Sequence, residues 1–293
     1  MSNLLVVFGA TGQQGGSVIT NVLNDPELSE QFKIRAITRD VNSDKSELLK
    51  KQNVQVIQGD VTDRASLEAA LTGAHTVFAM TTSVFSANPV EDEYNNGKTI
   101  ADVAVSKSAQ YLIWSTLPYV SEISSGKYTK ITPFDAKAKV ERYIRGLPGI
   151  KSAFFAEGYF MENFAPQPFL APKKAADGTW VLARHVFAEP DKYEGRKFCA
   201  AEALYTLEEI AAILTRATGQ TVVYKQVPVE EWRASLQLPP AFAELFVEAY
   251  ECGEEIGYFG PGTEELVAWA AANARGRLTT VEEHLQAHPL QLV

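Results

Sequence analysis

Over the first half of the chain, short apolar runs of strand length alternate with longer stretches whose apolar residues recur at helical spacing. Leu4 to Phe8 reads as a strand; a glycine-spaced turn follows it and opens a helix over Gly16 to Asn24. Lys33 to Thr38, Val54 to Gln58, Thr76 to Met80, Tyr111 to Ser115 and Lys151 to Phe155 read as further strands. Helices are expected between them at Asp44–Lys51, Arg64–Leu71, Tyr94–Ser106 and Pro133–Arg145, the last with proline in its first turn, where no N–H is needed. This alternation predicts an α/β, Rossmann-type, doubly wound parallel sheet with right-handed crossovers and helices on both faces. A ligand belongs beyond the carboxyl ends of the strands, where the winding reverses.

Past Gly158 the pattern changes. Proline and polar residues dominate Ala165 to Gly178, and helices then prevail. Thr206-Leu207-Glu208-Glu209 is a capping box opening a helix to Thr218, and Gly219 ends it. Thr221 to Val227 alternates as a strand; helices are expected near Val229–Leu236, Pro240–Gly253, Thr263–Ala274 and Val281–Ala287. The expected division is a Rossmann domain over 1–157 and a smaller helix-rich substrate or partner region over 158–293, from which the chain partly returns to the sheet. No internal repeat or low-complexity tract is evident.

Composition narrows the function. With 46% hydrophobic residues the chain can bury a substantial core. A formal charge of −9 argues against direct nucleic-acid binding, which needs basic surface. The two cysteines, Cys199 and Cys252, are far apart and fit buried thiols in a reducing compartment. The four histidines show no metal spacing; His284 and His288 lie four apart with no third ligand. The first strand starts almost at Met1, leaving no room for a signal peptide, and no apolar run is long enough to span a bilayer. The expectation is a soluble cytoplasmic protein, with the nucleus as an additional location, and with no metal and no membrane contact.

The chemistry lies in the first turn. In Gly9-Ala10-Thr11-Gly12-Gln13-Gln14-Gly15, the glycines permit a tight turn, close approach to a pyrophosphate and close helix–strand packing. The helix start offers unpaired N–H groups to phosphate charge. Cofactor contacts are therefore expected from Gly9, Thr11, Gly12, Gln13, Gln14 and Gly15. At the end of the second strand stands Thr38-Arg39-Asp40; an arginine there suits a 2′-phosphate, which favours NADP(H) over NAD(H). Asp40 complicates this, either by neutralising Arg39 or by turning outward. After the third strand, Asp60 suits either of two roles, contact with the adenine amino group or capping of the next turn, and Val61 follows it at the cofactor edge. Thr81 and Thr82 end the fourth strand, and Ser115 and Thr116 the fifth, at the ligand edge. Tyr159 or Phe160 is expected to line the nicotinamide end.

Many reductases of this architecture use a tyrosine and a lysine four residues apart on one helix face. Here Pro133 occupies the tyrosine position and Lys137 remains. Lys137 suits either cofactor positioning alone or lone acid–base work, with Thr116 beside it.

Together the Gly9–Gly15 turn, Thr38-Arg39, Gln58-Gly59-Asp60, Pro133 to Lys137 and Gly158-Tyr159-Phe160-Met161-Glu162-Asn163-Phe164 resemble the NmrA-like family of atypical short-chain dehydrogenase/reductase relatives. The resemblance continues through Tyr193-Glu194-Gly195, the capping box and Tyr258-Phe259-Gly260-Pro261. It implies NAD(P) binding with Gly12, Gly15, Arg39, Lys137 and Asn163 approaching the cofactor. That family includes fungal nitrogen-metabolite regulators and an animal redox sensor, both poor candidates for catalysis. The chain is also similar to phenylpropanoid reductases of the isoflavone type, which keep the lone lysine and use NADPH. Two departures stand out: Phe155-Ala156-Glu157 replaces an arginine–proline pair, and the stretch after Trp180 is short, so Trp180–Ala188 is expected to be irregular. Two functions follow. The favoured one is an NADP(H)-dependent redox-sensing regulator with a protein partner and little or no catalysis. The alternative is an NADPH-dependent reductase of a small aromatic or carbonyl compound.

Overall fold

The computed structural model describes residues 2–161, 173–174, 180–182, 197–274 and 278–292, with backbone alone at 173–174 and 180–182. The chain divides into two compact units. The first comprises 1–119, 132–155 and 193–197; the second comprises 120–131, 156–192 and 198–293.

Strand β1 (Asn3–Val7) leads through the glycine turn into α1 (Gln13–Asn24), followed by α2 (Pro26–Gln31), β2 (Phe32–Thr38), α3 (Asp44–Lys51) and β3 (Gln55–Gln58). Then come α4 (Arg64–Ala70), β4 (Thr76–Ala79), α5 (Pro89–Ser106), β5 (Tyr111–Thr116), α6 (Val120–Ile123), α7 (Thr132–Arg145) and β6 (Lys151–Glu157). Next are β7 (Lys173–Lys174), β8 (Trp180–Leu182) and β9 (Lys197–Ala200). Unit two continues with α8 (Leu207–Thr218), β10 (Val222–Tyr224), α9 (Val229–Ser235), α10 (Pro240–Ile256), α11 (Thr263–Asn273) and α12 (Val281–Ala287).

The main sheet has the order β3-β2-β1-β4-β5-β6-β9. Strands β3, β2, β1, β4 and β5 pair in parallel, with Val6 opposite Arg35 on one side and Val77 on the other. This is the doubly wound α/β architecture expected, and the winding reverses between β1 and β4. Strand β1 shows why both faces are covered. Leu5 and Val7 pack on Ile19 and Val22 of α1 and Leu49 of α3. Val6 and Phe8 join Leu67 of α4, Ile100 and Val103 of α5 and Val140 and Ile144 of α7. A strand buried on both faces reads as one continuous apolar run.

Within unit two, Ile210, Ile213 and Leu214 of α8 pack with Val222, Val281 and Leu285. Both α8 and α12 start in full capping boxes, at Thr206/Glu209 and Thr280/Glu283, and Gly219 ends α8 in the left-handed region at φ 69°.

Several expectations need correction. No strand was expected over 197–200, where β9 extends the sheet beyond β6. Helix α5 starts at Pro89 rather than Tyr94, its polar first turn having hidden it. Helix α2 was not foreseen, although Asp25 caps it by accepting from the N–H groups of Glu27 and Leu28. Trp180–Leu182 is a strand, parallel to β10 and antiparallel to β7, rather than irregular; Ala183–Ala188 lie outside the described residues.

Helices α5 and α7 pack closely at Gly97. A Cβ there would stand 2.6 Å from Val140 Cγ2 and 2.8 Å from Trp114 Cη2. Alanine gains helix propensity but overpacks this contact, so Gly97→Ala is expected to destabilise the protein by about 1–2 kcal/mol net. Urea denaturation checks this; a stabilised variant would contradict the packing described.

Candidate functional site

The glycine turn is tight and packs helix on strand closely, as its spacing suggests. Gly9 sits in the left-handed region at φ +63°, and a Cβ there would meet Met80 Sδ at 2.7 Å. Gly12 N–H donates to Gly9 O at 2.8 Å and closes the turn. At Gly15 a Cβ would lie 2.5 Å from the carbonyl oxygens of both Phe8 and Gly9, so α1 packs on the end of β1 only because no side chain intervenes. Gly12 is the N-cap of α1 and supplies no side-chain cap, in contrast to Asp25, Ser43 and Asp63 at the three helices that follow. The start of α1 thus has no side-chain cap and lies beside an exposed Gly12 and Gln13, an arrangement that suits an anion.

Gln14 is buried and its Nε2 donates to Ser115 Oγ at 2.9 Å, which ties the turn to the end of β5. Thr11 is half-buried, and its carbonyl accepts from Lys45 Nζ of α3 at 3.0 Å. Sequence reasoning missed Lys45. The only available signal was its place in the first turn of the helix that follows Arg39.

Arg39 is exposed at the end of β2. Asp40 resolves its own ambiguity by turning away: its Oδ1 accepts from Asn42 N–H at 2.9 Å, and no Arg39–Asp40 ion pair occurs among the described residues. Asp60 Oδ1 accepts from Thr62 N–H at 2.8 Å and Thr62 Oγ1 at 2.7 Å, so it does cap the turn. These hydrogen bonds, with a smaller contribution from the Arg39 charge, hold the Asp60 carboxyl below the usual carboxylate range. Val61 is half-buried against the core beside it, and Thr82 is exposed.

The ends of β4 and β5 carry a buried polar network. Lys137 on α7 is 4% exposed, and its Nζ pairs with Glu93 Oε1 of α5 at 2.5 Å. Glu93 is 1% exposed and also accepts from Thr81 Oγ1 at 2.7 Å. The Lys137 carbonyl accepts from Trp114 Nε1 at 3.1 Å, so backbone and ammonium are both anchored. Thr116 is fully buried and its hydroxyl donates to Glu141 Oε2 at 2.7 Å, which braces α7 against β5. Glu141 is further paired with Arg145 and Lys197. The structure thus gathers Gly9–Gly15, Arg39, Asp60, Thr81, Ser115 and Lys137 along the carboxyl edge of one sheet. Tyr159 lies in unit two, half-buried against the α8–α12 core, and Asn163 lies outside the described residues. His284 and His288 stack with ring centroids 4.6 Å apart. No cluster that could hold a metal occurs among the described residues, and no described helix is long and apolar enough to cross a membrane.

A parallel sheet with a glycine-lined turn at its switch point defines the Rossmann class. The NmrA-like family profile matches residues 1–184 and 178–285, and the chain belongs to that family. It is 32% identical over 264 residues to the NmrA-like family domain-containing oxidoreductase lnaB of Aspergillus flavus, covering 79% of this chain and 77% of that one. Among solved structures, the negative transcriptional regulator NmrA in complex with NADP aligns with TM-score 0.75 at 22% identity, over 97% of this chain and 94% of that one. Its NAD complex aligns equally well, also at 0.75. The NADPH-dependent quinone oxidoreductase QOR2 of Escherichia coli aligns at 0.70 and 20% identity, over 97% of this chain and 99% of that one. At these identities the structural likeness is one of fold.

The Asp60 cap generates a pH prediction. A carboxyl held low in the folded state stabilises the protein at neutral pH, and that contribution is lost as pH falls from about 4 through the folded value. Asp60→Ala is expected to lose about 1 kcal/mol at pH 7, with the gap to wild type closing below about pH 4. Urea melts at both pH values check this; a gap that widens in acid would contradict it.

Proposed function

We propose that the protein is an NADPH-dependent oxidoreductase of a small aromatic or carbonyl compound. The observation that carries this reading is the buried Lys137 ammonium at the ends of β4 and β5, in a fold whose glycine turn lies one strand away. The glycine turn and the uncapped start of α1 fit the pyrophosphate. Arg39 and Asp60, at the ends of β2 and β3, would hold the adenosine half, and Lys137, by the ends of β4 and β5, the nicotinamide half. Bound there, the coenzyme supplies a hydride. Lys137 would orient its ribose, and the ammonium or solvent would provide the balancing proton for the reduced substrate. The oxidoreductase named among the sequence relatives supports the same reading.

For the phosphorylated coenzyme, Arg39 offers a guanidinium with no ion-pair partner among the described residues, and Lys45 stands on the neighbouring loop carbonyl. Arg39→Ala is expected to weaken NADPH binding about tenfold or more and NADH binding little. Equal losses for the two coenzymes, read by calorimetry, would refute the preference.

A second reading is favoured by Pro133, which leaves no phenol to donate a proton, and by the likeness to the NmrA regulator. In that reading the chain binds coenzyme and signals to a protein partner without turnover. NADPH consumption against quinones, enones and aldehydes separates the two. The enzyme reading expects turnover that falls at least about a hundredfold in Lys137→Ala. Tight NADPH binding with no consumption across the panel supports the regulator.

A further inference from the structure

Glu93 is a carboxylate buried to 1% exposure, and it meets a lysine from a different helix. An apolar pair of similar volume is often as stable as a buried ion pair, so packing does not by itself demand a carboxylate here. Thr81 Oγ1 and Lys137 Nζ both donate to the one oxygen, Glu93 Oε1, and Trp114 Nε1 fixes the lysine's backbone. An ammonium has three donors and Glu93 takes one; no second acceptor for Lys137 Nζ occurs among the described residues.

The two forms of a nicotinamide differ in charge, the oxidised ring being positive and the reduced ring neutral. A lone buried ammonium beside the ring would repel the oxidised form and leave the reduced form unaffected. Resting on the reading that Lys137 meets the nicotinamide end, we infer that Glu93 is a positioning residue that sets the site's preference between oxidised and reduced coenzyme. It holds the Lys137 ammonium in place, cancels its charge and so lets NADP+ bind alongside NADPH. Thr81 in turn fixes the carboxylate.

The test is calorimetric titration of the full chain with NADP+ and, separately, with NADPH. Glu93→Gln keeps the size of the side chain and an acceptor oxygen but removes the charge. It is expected to move the NADP+ to NADPH affinity ratio about tenfold toward NADPH. Lys137→Met leaves the carboxylate alone and should move the ratio the opposite way. Combining the two substitutions should return the ratio to near its wild-type value, with weaker binding of both forms. A purely structural pair would shift both affinities together, so an unchanged ratio in the folded variants overturns the inference. If Glu93→Gln does not fold, the Lys137→Met ratio decides alone, and an unmoved ratio there is equally fatal. Wild-type protein that binds neither form refutes the coenzyme reading itself, whereas wild-type binding with unmoved ratios refutes only the role of Glu93.

Discussion

The approach of α1 to the end of β1 at Gly15 is the constraint on which the rest depends. A single Cβ there would stand 2.5 Å from two backbone carbonyl oxygens, closer than real side chains come. With glycine in place, the helix starts directly over the switch between β1 and β4. Moving the helix away to accommodate a side chain would pull Gln14 off Ser115 and break the link between the turn and β5. Fold and candidate site therefore rest on the same contact.

The second organising element is polar and buried. Glu93, Thr81 and Lys137 form one group, and Thr116, Glu141 and Lys197 another, with the backbone at Lys137 held by the Trp114 indole. A buried charge paired with its opposite and hydrogen-bonded to it is held in one arrangement. The tight α5–α7 packing at Gly97 holds Glu93 and Lys137 close enough to pair. A cofactor edge built this way has its ammonium positioned before any ligand arrives.

Much of this was legible in the residues. Strands β1 and β4 are near-continuous apolar runs because both faces are covered, and such runs stand out between polar helices. The capping box at Thr206 marked one helix start correctly. The start of α5 was not legible, because Glu91, Asp92 and Glu93 look like a solvated acidic run. Yet Glu93, Gly97, Ile100, Ala101 and Ala104 are all buried, and their spacing follows one helical stripe. Extending the stripe back by one turn would have placed Glu93 inside. Lys45 was hidden among surface lysines, since only the fold brings it to the Thr11 carbonyl. Strand β9 escaped notice because a four-residue strand far along the chain carries little periodicity. The role of Thr116 depended on a partner, Glu141, that its own neighbourhood in sequence does not reveal.

The proposed binding of a phosphorylated nicotinamide dinucleotide across the glycine turn is tested by equilibrium calorimetry of the unmodified chain. The account predicts saturable one-to-one binding of NADPH, tighter than that of NADH. A folded sample that gives no binding heat with either coenzyme, at a temperature where heats are measurable, would contradict it.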